Sequence, residues 1–518
     1  MFIENVYKLS VLNRVPFVCF PLNLFKSSKI CLKWNVSTNV VCYHSISTSS
    51  QALRQTKLTP QEVTTILRTN EFSLEIENHT SVKSYDSNQL PSNKPIEDTR
   101  CEAKCLLTTG VLLGVFDGHG GAACAQVLSK RLFDYIAATL LPDQLISDCL
   151  ARLESQEPIQ LVESYNDKFD IVGELKQLYL NSFKSFLKQL LSSQKEQQFE
   201  MKHMLVNAFL SLDQHISQEA QLKQGGNHLN MKTLGVGLSD TFHCHKISKL
   251  SAKFERPVAK GAVCCVAHID GPHLHVANTG DCQAVIGVLT DDNNWIAKKV
   301  SVEHNTDNVR EVERILNEHP KNERDTVIRM ERLLGQLAPL RAFGDVRYKW
   351  SKELLQKYVV PHVGEQALAP NYFTPPYLTA QPDVIHYRLT PRDRFLILAT
   401  DGLWDLLSPL QAVRLVGEHM SGKVTLRPLQ LPRKHMKLSE INELLIARQE
   451  GLSLKPLDSN AATHLLRHAL GGTEYGIEHS KIAQLLSMPQ EVVRLFRDDI
   501  TIMVVYFDSD YLRSPNVR

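Results

Sequence analysis

Carboxylates recur in this sequence at the ends of apolar runs. Asp117 follows Val111 to Phe116, Asp401 follows Phe395-Leu396-Ile397-Leu398-Ala399-Thr400, and Asp498-Asp499 immediately precede Ile500 to Phe507. Glu97-Asp98, Asp281 behind Asn278-Thr279-Gly280, and Asp405 beyond Asp401 extend the pattern, with few cations beside them. If those ends converge, the carboxylates repel one another and are driven to protonate unless a cation neutralises them. Oxygen-only donors favour a hard divalent ion, Mg²⁺ or Mn²⁺, over zinc, and an ion that retains water suits hydrolysis. Gly118 and Gly402, beside two of the aspartates, let backbone come close enough for a carbonyl to join the donors. A single Asp-Gly reads as an ordinary turn, but the whole set does not.

The elements that must position these groups can be read around them. Thr59-Pro60-Gln61-Glu62 combines an N-cap hydroxyl, a proline at the first helical position and a capping-box glutamate, and predicts a helix to Leu67. Asp86 to Asp98, rich in Ser, Asn and Pro, predicts an extended loop. Val111 to Phe116 predicts a strand buried on both faces, and Ala122 to Leu140 a helix. Gly261 to Ile269, His273 to Asn278 and Gln283 to Leu289, punctuated by Asp270-Gly271-Pro272 and Gly280-Asp281, predict an antiparallel meander. Arg394 to Thr400 and Ile500 to Phe507 are further β-rich runs, while Phe183 to Gln218, Gln411 to Met420 and Ala461 to Leu470 have helical periodicity. Strands therefore stand early, centrally and late, with helices between them. One large α+β domain over residues 56–510 is expected rather than two independent ones. Ser421 to Asn460, with Gly, Pro and many Lys and Arg, reads as a surface insertion within it, and 511–518 as a tail.

With 518 residues, 43% hydrophobic and 22% charged, the chain can bury a large core. Its 58 basic and 56 acidic residues leave a formal charge of +2, which advertises neither nucleic acid nor an anionic membrane. Eleven cysteines lack the paired spacing of a disulfide framework, as suits a compartment where thiols stay reduced. The apolar stretch Val11 to Leu24 is broken by Arg14, Pro16 and Pro21, so no transmembrane segment is read. Residues 1–55 stand apart: Glu4 is the only acid in the first 50, among Lys8, Arg14, Lys26, Lys29 and Lys33, and Ser45 to Ser50 is almost all hydroxyl. That composition is transit-like, of the mitochondrial kind. His243-Cys244-His245 and His273-Leu274-His275 lack an evident third and fourth metal ligand and read as exposed or capped histidines.

Gly114-Val115-Phe116-Asp117-Gly118-His119-Gly120-Gly121, Ala277-Asn278-Thr279-Gly280-Asp281, Leu340-Arg341-Ala342-Phe343-Gly344-Asp345, Ala399-Thr400-Asp401-Gly402-Leu403-Trp404-Asp405 and Arg497-Asp498-Asp499-Ile500-Thr501 resemble, in order, the motif series of the type 2C, or PPM, protein phosphatases. The resemblance spans Thr59 to Phe507. It implies an α-β-β-α sandwich of two antiparallel sheets flanked by helices, with metals at one end. Carried over by position, it implies two Mg²⁺ or Mn²⁺ ions bridged by Asp117, with the Gly118 carbonyl, Asp401 and Asp498 completing the pair. A third, weaker site falls to Asp281, Asp401 and Asp405. Glu97 matches the residue that orients the attacking water, and His119 the general acid that protonates the leaving serine or threonine oxygen, a task suited to imidazole because its pKa lies near neutrality. The implied reaction is direct in-line hydrolysis; no Cys-x5-Arg signature points to a thiol route.

One departure is visible. Where many members carry a phosphate-gripping arginine shortly before Glu97-Asp98, this chain has Ser92-Asn93-Lys94-Pro95-Ile96, which shifts the expectation to Asn93, Lys94 or metal-bound water. Tyr85 to Pro91, Ile96-Glu97-Asp98, Leu58-Thr59-Pro60, Glu303-His304-Asn305, Asn460-Ala461-Ala462-Thr463-His464 and Arg497 to Thr501 resemble the mitochondrial pyruvate dehydrogenase phosphatase branch. That resemblance implies phosphoserine on the dehydrogenase α subunit as substrate, docking to the lipoyl domain of the acetyltransferase core, calcium assistance in some members, a regulatory subunit and a matrix location. Two other readings stand beside it: a type 2C phosphatase with another mitochondrial target, and a non-catalytic pseudophosphatase, which the presence of Asp117, Asp401 and Asp498 disfavours.

Overall fold

The computed structural model describes residues 30–33, 42–45, 58–76, 80–166, 173–192, 200–222, 260–433 and 435–514. Two units divide the chain, Met1–Thr56 and Lys57–Arg518. In the first, Ile30–Lys33 and Cys42–Ser45 pair as antiparallel strands. The rest of the transit-like segment, His243-Cys244-His245 and the end of the tail lie outside the described residues.

In the second unit, alternating apolar residues build two sheets that share one core. The six-stranded sheet runs Trp295–Lys299, Gln283–Leu289, Asp393–Ala399, Ile500–Phe507, Val82–Leu90, Phe72–Glu75. The larger sheet runs Asp383–Arg388, His273–Thr279, Gly261–Asp270, Val111–His119, Thr99–Cys105, Val162–Ser164, with Phe343–Gly344 also paired to Gly261–Asp270. Every pairing is antiparallel. Val111, Leu113 and Val115 face the inter-sheet core with Ile286, Leu396, Leu398, Met503 and Val505. Their alternates Leu112 and Phe116 pack outward against the helix Ala123–Thr139 and its neighbours Gly173–Ser192 and Met201–Leu222. On the other side, Val285, Ile397, Ile502 and Val504 meet the helices Pro60–Arg68, Pro409–Met420 and Ala461–Gly471. This two-residue period, each face apolar, is what two sheets covered by helices on both outer sides require. The α+β sandwich read from the sequence is the fold.

Two local expectations need correction. Asp86 to Leu90 is not loop but part of strand Val82–Leu90, paired in register with Ile500–Phe507 and Phe72–Glu75. Ser87 and Asn88 are buried yet partnered: Ser87 Oγ accepts from Arg100 Nη1 (2.6 Å), and the Asn88 amide donates to the Leu67 carbonyl (2.8 Å) and Thr463 Oγ1 (2.7 Å), so composition misled where hydrogen bonding compensates. The three-stranded meander is a hairpin followed by a crossing. Gly261–Asp270 and His273–Thr279 pair with each other, but Gln283–Leu289 joins the opposite sheet, and Gly280 (φ +100°) and Asp281 carry the chain across. Within the predicted insertion, Leu438–Ser453 is a helix, largely exposed.

The segment carrying Leu340 to Asp345 is clamped by a buried ion pair. Arg341 donates Nε to Glu311 Oε1 (2.8 Å) and Nη2 to Oε2 (2.7 Å), and Arg314 donates to the same carboxylate. Burial alone pushes the Glu311 carboxyl up; the hydrogen bonds of Arg341 and Arg314 outweigh it and bring the pKa down to about 2. Glu311→Ala strands Arg341 in the interior and is expected to cost about 3–5 kcal/mol, read as a lower urea midpoint. Because the folded pKa is depressed, this contribution is complete above the ordinary carboxylate range and fades as pH falls toward about 2, so the difference between the two proteins narrows in acid.

Candidate active site

Strand register gathers the predicted residues at one end of the sandwich. Ala399 pairs with Gln283 on one side and Ile502 on the other, which sets Asp401, Asp281 and Asp498 at neighbouring strand ends. In the facing sheet Thr99 pairs with Phe116, so Glu97-Asp98 lie beside Asp117, and His119 pairs with Gly261. Asp405 follows one helical turn after Asp401, its backbone N–H donating to the Asp401 carbonyl (2.8 Å).

The carboxylates feel one another. Burial first, then the charges of Asp98, Asp401, Asp281 and Asp498, push Asp117 well above the usual carboxylate range. Burial with Asp281, Asp405 and Asp498 raises Asp401 to about 8. Burial also raises Asp281 to about 6, against its own backbone hydrogen bond and His119, and raises Asp405, to which Asp498 adds. Glu97 is raised chiefly by burial. This is the cost of packing like charges into a low-dielectric end of the fold. Asp401 Oδ1 is buried with no hydrogen-bond partner, an acceptor suited to a cation. Among the described residues no group of three or more His, Cys, Asp or Glu is assembled tightly enough to hold an ion by side chains alone. Mg²⁺ keeps several of its waters and commonly uses only one or two carboxylates, so the donor set fits it.

The two glycines beside the aspartates serve close approach of backbone to backbone. A Cβ on Gly118 would stand 2.4 Å from the Glu97 carbonyl oxygen, and one on Gly402 2.0 Å from that of Asp499. Any larger residue would push the Glu97 and Asp499 segments away from the strand ends they flank.

Two positioning residues escaped the sequence reading although both lie in quoted motifs. Asp345, buried and left-handed at φ +46°, places Oδ2 2.6 Å from His119 Nε2. Gly261 leaves room for that pair, since a Cβ there would meet Asp345 Oδ2 at 2.3 Å and His119 Nε2 at 2.5 Å. Burial alone would lower the His119 pKa, but the charge and hydrogen bond of Asp345, with Asp281 and Glu97, raise it above the ordinary imidazole value. Asp499, also buried, organises the loop that holds Glu97: it accepts from the backbone N–H of Ser92, Asn93 (2.9 Å) and Glu97 (2.8 Å) and from the Asn93 amide (3.0 Å). Thr400 Oγ1 donates to Asp98 Oδ2 (2.9 Å) and accepts from Thr501 N–H (3.0 Å), which ties that loop to the Asp401 strand. A carboxylate flanked by backbone donors from a distant segment is the signal that could have singled out Asp499, but only once that segment was known to adjoin it.

For the phosphate, the two expected residues fare differently. Asn93 spends its side-chain amide on Asp499 and Glu97, while Lys94 is exposed and makes no ion pair with the carboxylates among the described residues. An unforeseen cation reaches them instead: Arg494 lies 3.3 Å from Glu97 Oε2 and 3.7 Å from Asp498 Oδ1.

Comparison with known proteins bears on this geometry. The family model described as "Protein phosphatase 2C" matches residues 161–444, which takes in Asp281, Asp401 and Asp405 but stops short of Glu97, Asp117, His119 and Asp498. Likeness to individual proteins extends past it on both sides. The mitochondrial pyruvate dehydrogenase (acetyl-transferring) phosphatase 1 of Bos taurus is 43% identical over 472 residues, covering 87% of this chain and 83% of that protein. The corresponding phosphatase 2 of Homo sapiens is 38% identical, covering 88% and 84%, and phosphatase 1 of Saccharomyces cerevisiae 29% identical, covering 83% and 69%.

Asp345→Asn removes the charge that holds the proton on His119. The expected outcome is a lower His119 pKa, followed by NMR titration of the imidazole, with Asp281 and Glu97 still present to keep part of the rise.

Proposed function

This chain belongs to the protein phosphatase 2C family of metal-dependent protein serine/threonine phosphatases, and we propose that it acts on phosphoserine of the pyruvate dehydrogenase α subunit through a binuclear Mg²⁺ or Mn²⁺ centre. The observation that carries the reading is the convergence of carboxylates from four segments on one end of the sandwich, where burial first, and neighbouring acids second, raise their pKa values. Asp117, the Gly118 carbonyl, Asp401 and Asp498 would hold the pair, and Asp281 with Asp401 and Asp405 a weaker third ion. Bound there, the ions supply charge neutralisation of the phosphoryl oxygens and a water acidic enough to attack at neutral pH. The chain's own groups do the rest. Glu97, fixed through its backbone by Asp499, orients the attacking water. His119, kept protonated and aimed by Asp345, delivers a proton to the leaving serine oxygen. His119 stands at a strand end and Glu97 on a short loop pinned by Asp499, so their spacing needs little reorganisation during the reaction.

The choice of substrate rests on the relatives, whose names say that they act on pyruvate dehydrogenase and are mitochondrial. Their likeness over most of both chains favours the same target here, with docking to the lipoyl domain of the acetyltransferase core, calcium assistance and a regulatory subunit as further parts of the proposal. The basic, hydroxyl-rich first 50 residues favour a mitochondrial, and by this reading matrix, location. No helix among the described residues is long and apolar enough to cross a membrane.

Release of phosphate from a phosphoserine peptide is expected to require Mg²⁺ or Mn²⁺, to stop in EDTA, and to fall at least about a hundredfold in Asp117→Asn, a loss of the size expected when a group that stabilises transition-state charge is removed. Equal rates in variant and wild type would sink the metal mechanism. Incubation with phosphorylated pyruvate dehydrogenase complex, with and without free lipoyl domain, tests the substrate: reactivation that free lipoyl domain suppresses is the expected result.

A further inference from the structure

The segment Gln490 to Arg497 forms one wall of the carboxylate end, and it is tied down at three points. Val493 is buried in the body of the domain. Gln490 Nε2 donates to the Lys94 carbonyl (3.5 Å), and Arg497 Nη2 to the Pro91 carbonyl (2.7 Å), so both ends of the segment are fastened to the loop that carries Glu97. Between those fastenings Arg494 projects over Glu97 and Asp498 with its side chain 48% exposed. It is near the site by construction of the backbone rather than by a chance rotamer.

Its bonding is incomplete. The contacts at 3.3 and 3.7 Å are ion pairs, and among the described residues the Arg494 guanidinium makes no hydrogen bond, although it carries five N–H donors. Arg497, its neighbour, is by contrast committed to the Asp498 and Pro91 carbonyls. The charge balance also leaves a task for it. Glu97, Asp98, Asp117, Asp281, Asp401, Asp405 and Asp498 outnumber the charges of two divalent ions, and a fixed cation on the substrate side lessens the repulsion that a phosphomonoester dianion meets there. Asn93 is spent on Asp499 and Glu97, and Lys94 is exposed and makes no ion pair with the carboxylates among the described residues. A planar guanidinium is the group best matched to two phosphate oxygens.

We infer that Arg494 binds the phosphoryl group of the substrate, taking over from a separate segment of the chain the task that the loop at Ser92 to Ile96 lacks an arginine to perform. The inference rests on the phosphatase reading given above. Glu97 and Asp498 hold the guanidinium at the mouth of the site, and its unused N–H donors would face an incoming dianion. The residue touches substrate and leaves the attacking water to Glu97.

The test pairs Arg494→Ala with Arg494→Lys and uses inorganic phosphate, the product, as probe. Calorimetric titration of phosphate into Mn²⁺-loaded protein is expected to show binding weakened by about ten- to a hundredfold in Arg494→Ala, the range for losing charge-assisted hydrogen bonds, and by less in Arg494→Lys, which keeps the charge but not the fork. The KM for a phosphoserine peptide should rise in parallel, and Mn²⁺ affinity, titrated without phosphate, should not fall, since removing a cation 3.7 Å from Asp498 does not weaken that carboxylate for another. Wild-type phosphate affinity and KM in Arg494→Ala would overturn the inference, as would a change in Mn²⁺ affinity with phosphate affinity unaltered, since that outcome makes the residue a shaper of the carboxylates. Failure of the phosphatase reading would look different: wild-type protein would release no phosphate from the peptide at all, whatever residue 494 is.

Discussion

The constraint on which this molecule turns is the mutual repulsion of carboxylates held close together in a poorly hydrated place. Left alone, such a group would move apart into water or take up protons. Here neither escape is open to the backbone, because each acid sits at the end of a strand whose register is set by a partner strand and a packed core. Asp401 cannot retreat without disturbing the ladders to Gln283–Leu289 and Ile500–Phe507, and Asp117 cannot without breaking those to Thr99–Cys105 and Gly261–Asp270. Burial, with the charges of the neighbouring acids, raises the pKa values of Asp117, Asp281 and Asp401 in consequence. Large apolar clusters between and outside the sheets supply the stability against which the confinement is held.

Around the acids stands a second set of polar residues that never face the open end. Asp499 draws in the backbone of Ser92, Asn93 and Glu97, Asp345 aims His119, and the Glu311–Arg341 pair fastens the segment from which Asp345 comes. Glycines at positions 118, 261 and 402 let these segments approach to distances that a side chain would forbid. Glu97, His119 and Asp498 keep some exposure, while Asp345 and Asp499, which hold the His119 ring and the Glu97 backbone, are buried.

Much of this was legible in the sequence, for reasons that also explain what was not. Apolar runs ending in Asp are local features, so Asp117, Asp401 and Asp498 and their strands could be read directly, as could the helix capped by Thr59 and Glu62. Strand Val82–Leu90 was hidden because its buried polar side chains are partnered by residues hundreds of positions away, such as Thr463 with Asn88. The crossing at Gly280-Asp281 was hidden because spacing alone does not tell a hairpin within one sheet from a step between two. Asp345 and Asp499 stood in recognised motifs, yet their tasks depend on who their neighbours are. For the same reason the expectation that Asn93 and Lys94 would meet the phosphate looked along the chain, whereas the cation at hand comes from across the fold.

That last point generalises within this molecule. A site assembled from strand ends has its chemistry specified by side chains that sequence displays, but its wall is made by whichever surface segments the topology folds over the opening. Gln490 to Arg497 is such a segment: Val493 anchors it, Gln490 and Arg497 fasten it to the Glu97 loop, and Leu495 and Phe496 stay exposed beside Arg494. Because the wall is held by its own contacts and not by the acids, its residues can differ in kind without disturbing the strand register that confines Asp117, Asp401 and Asp498. The same carboxylate end can therefore keep one hydrolytic chemistry while the side chains at its mouth decide how firmly, and from which direction, a phosphorylated partner is received.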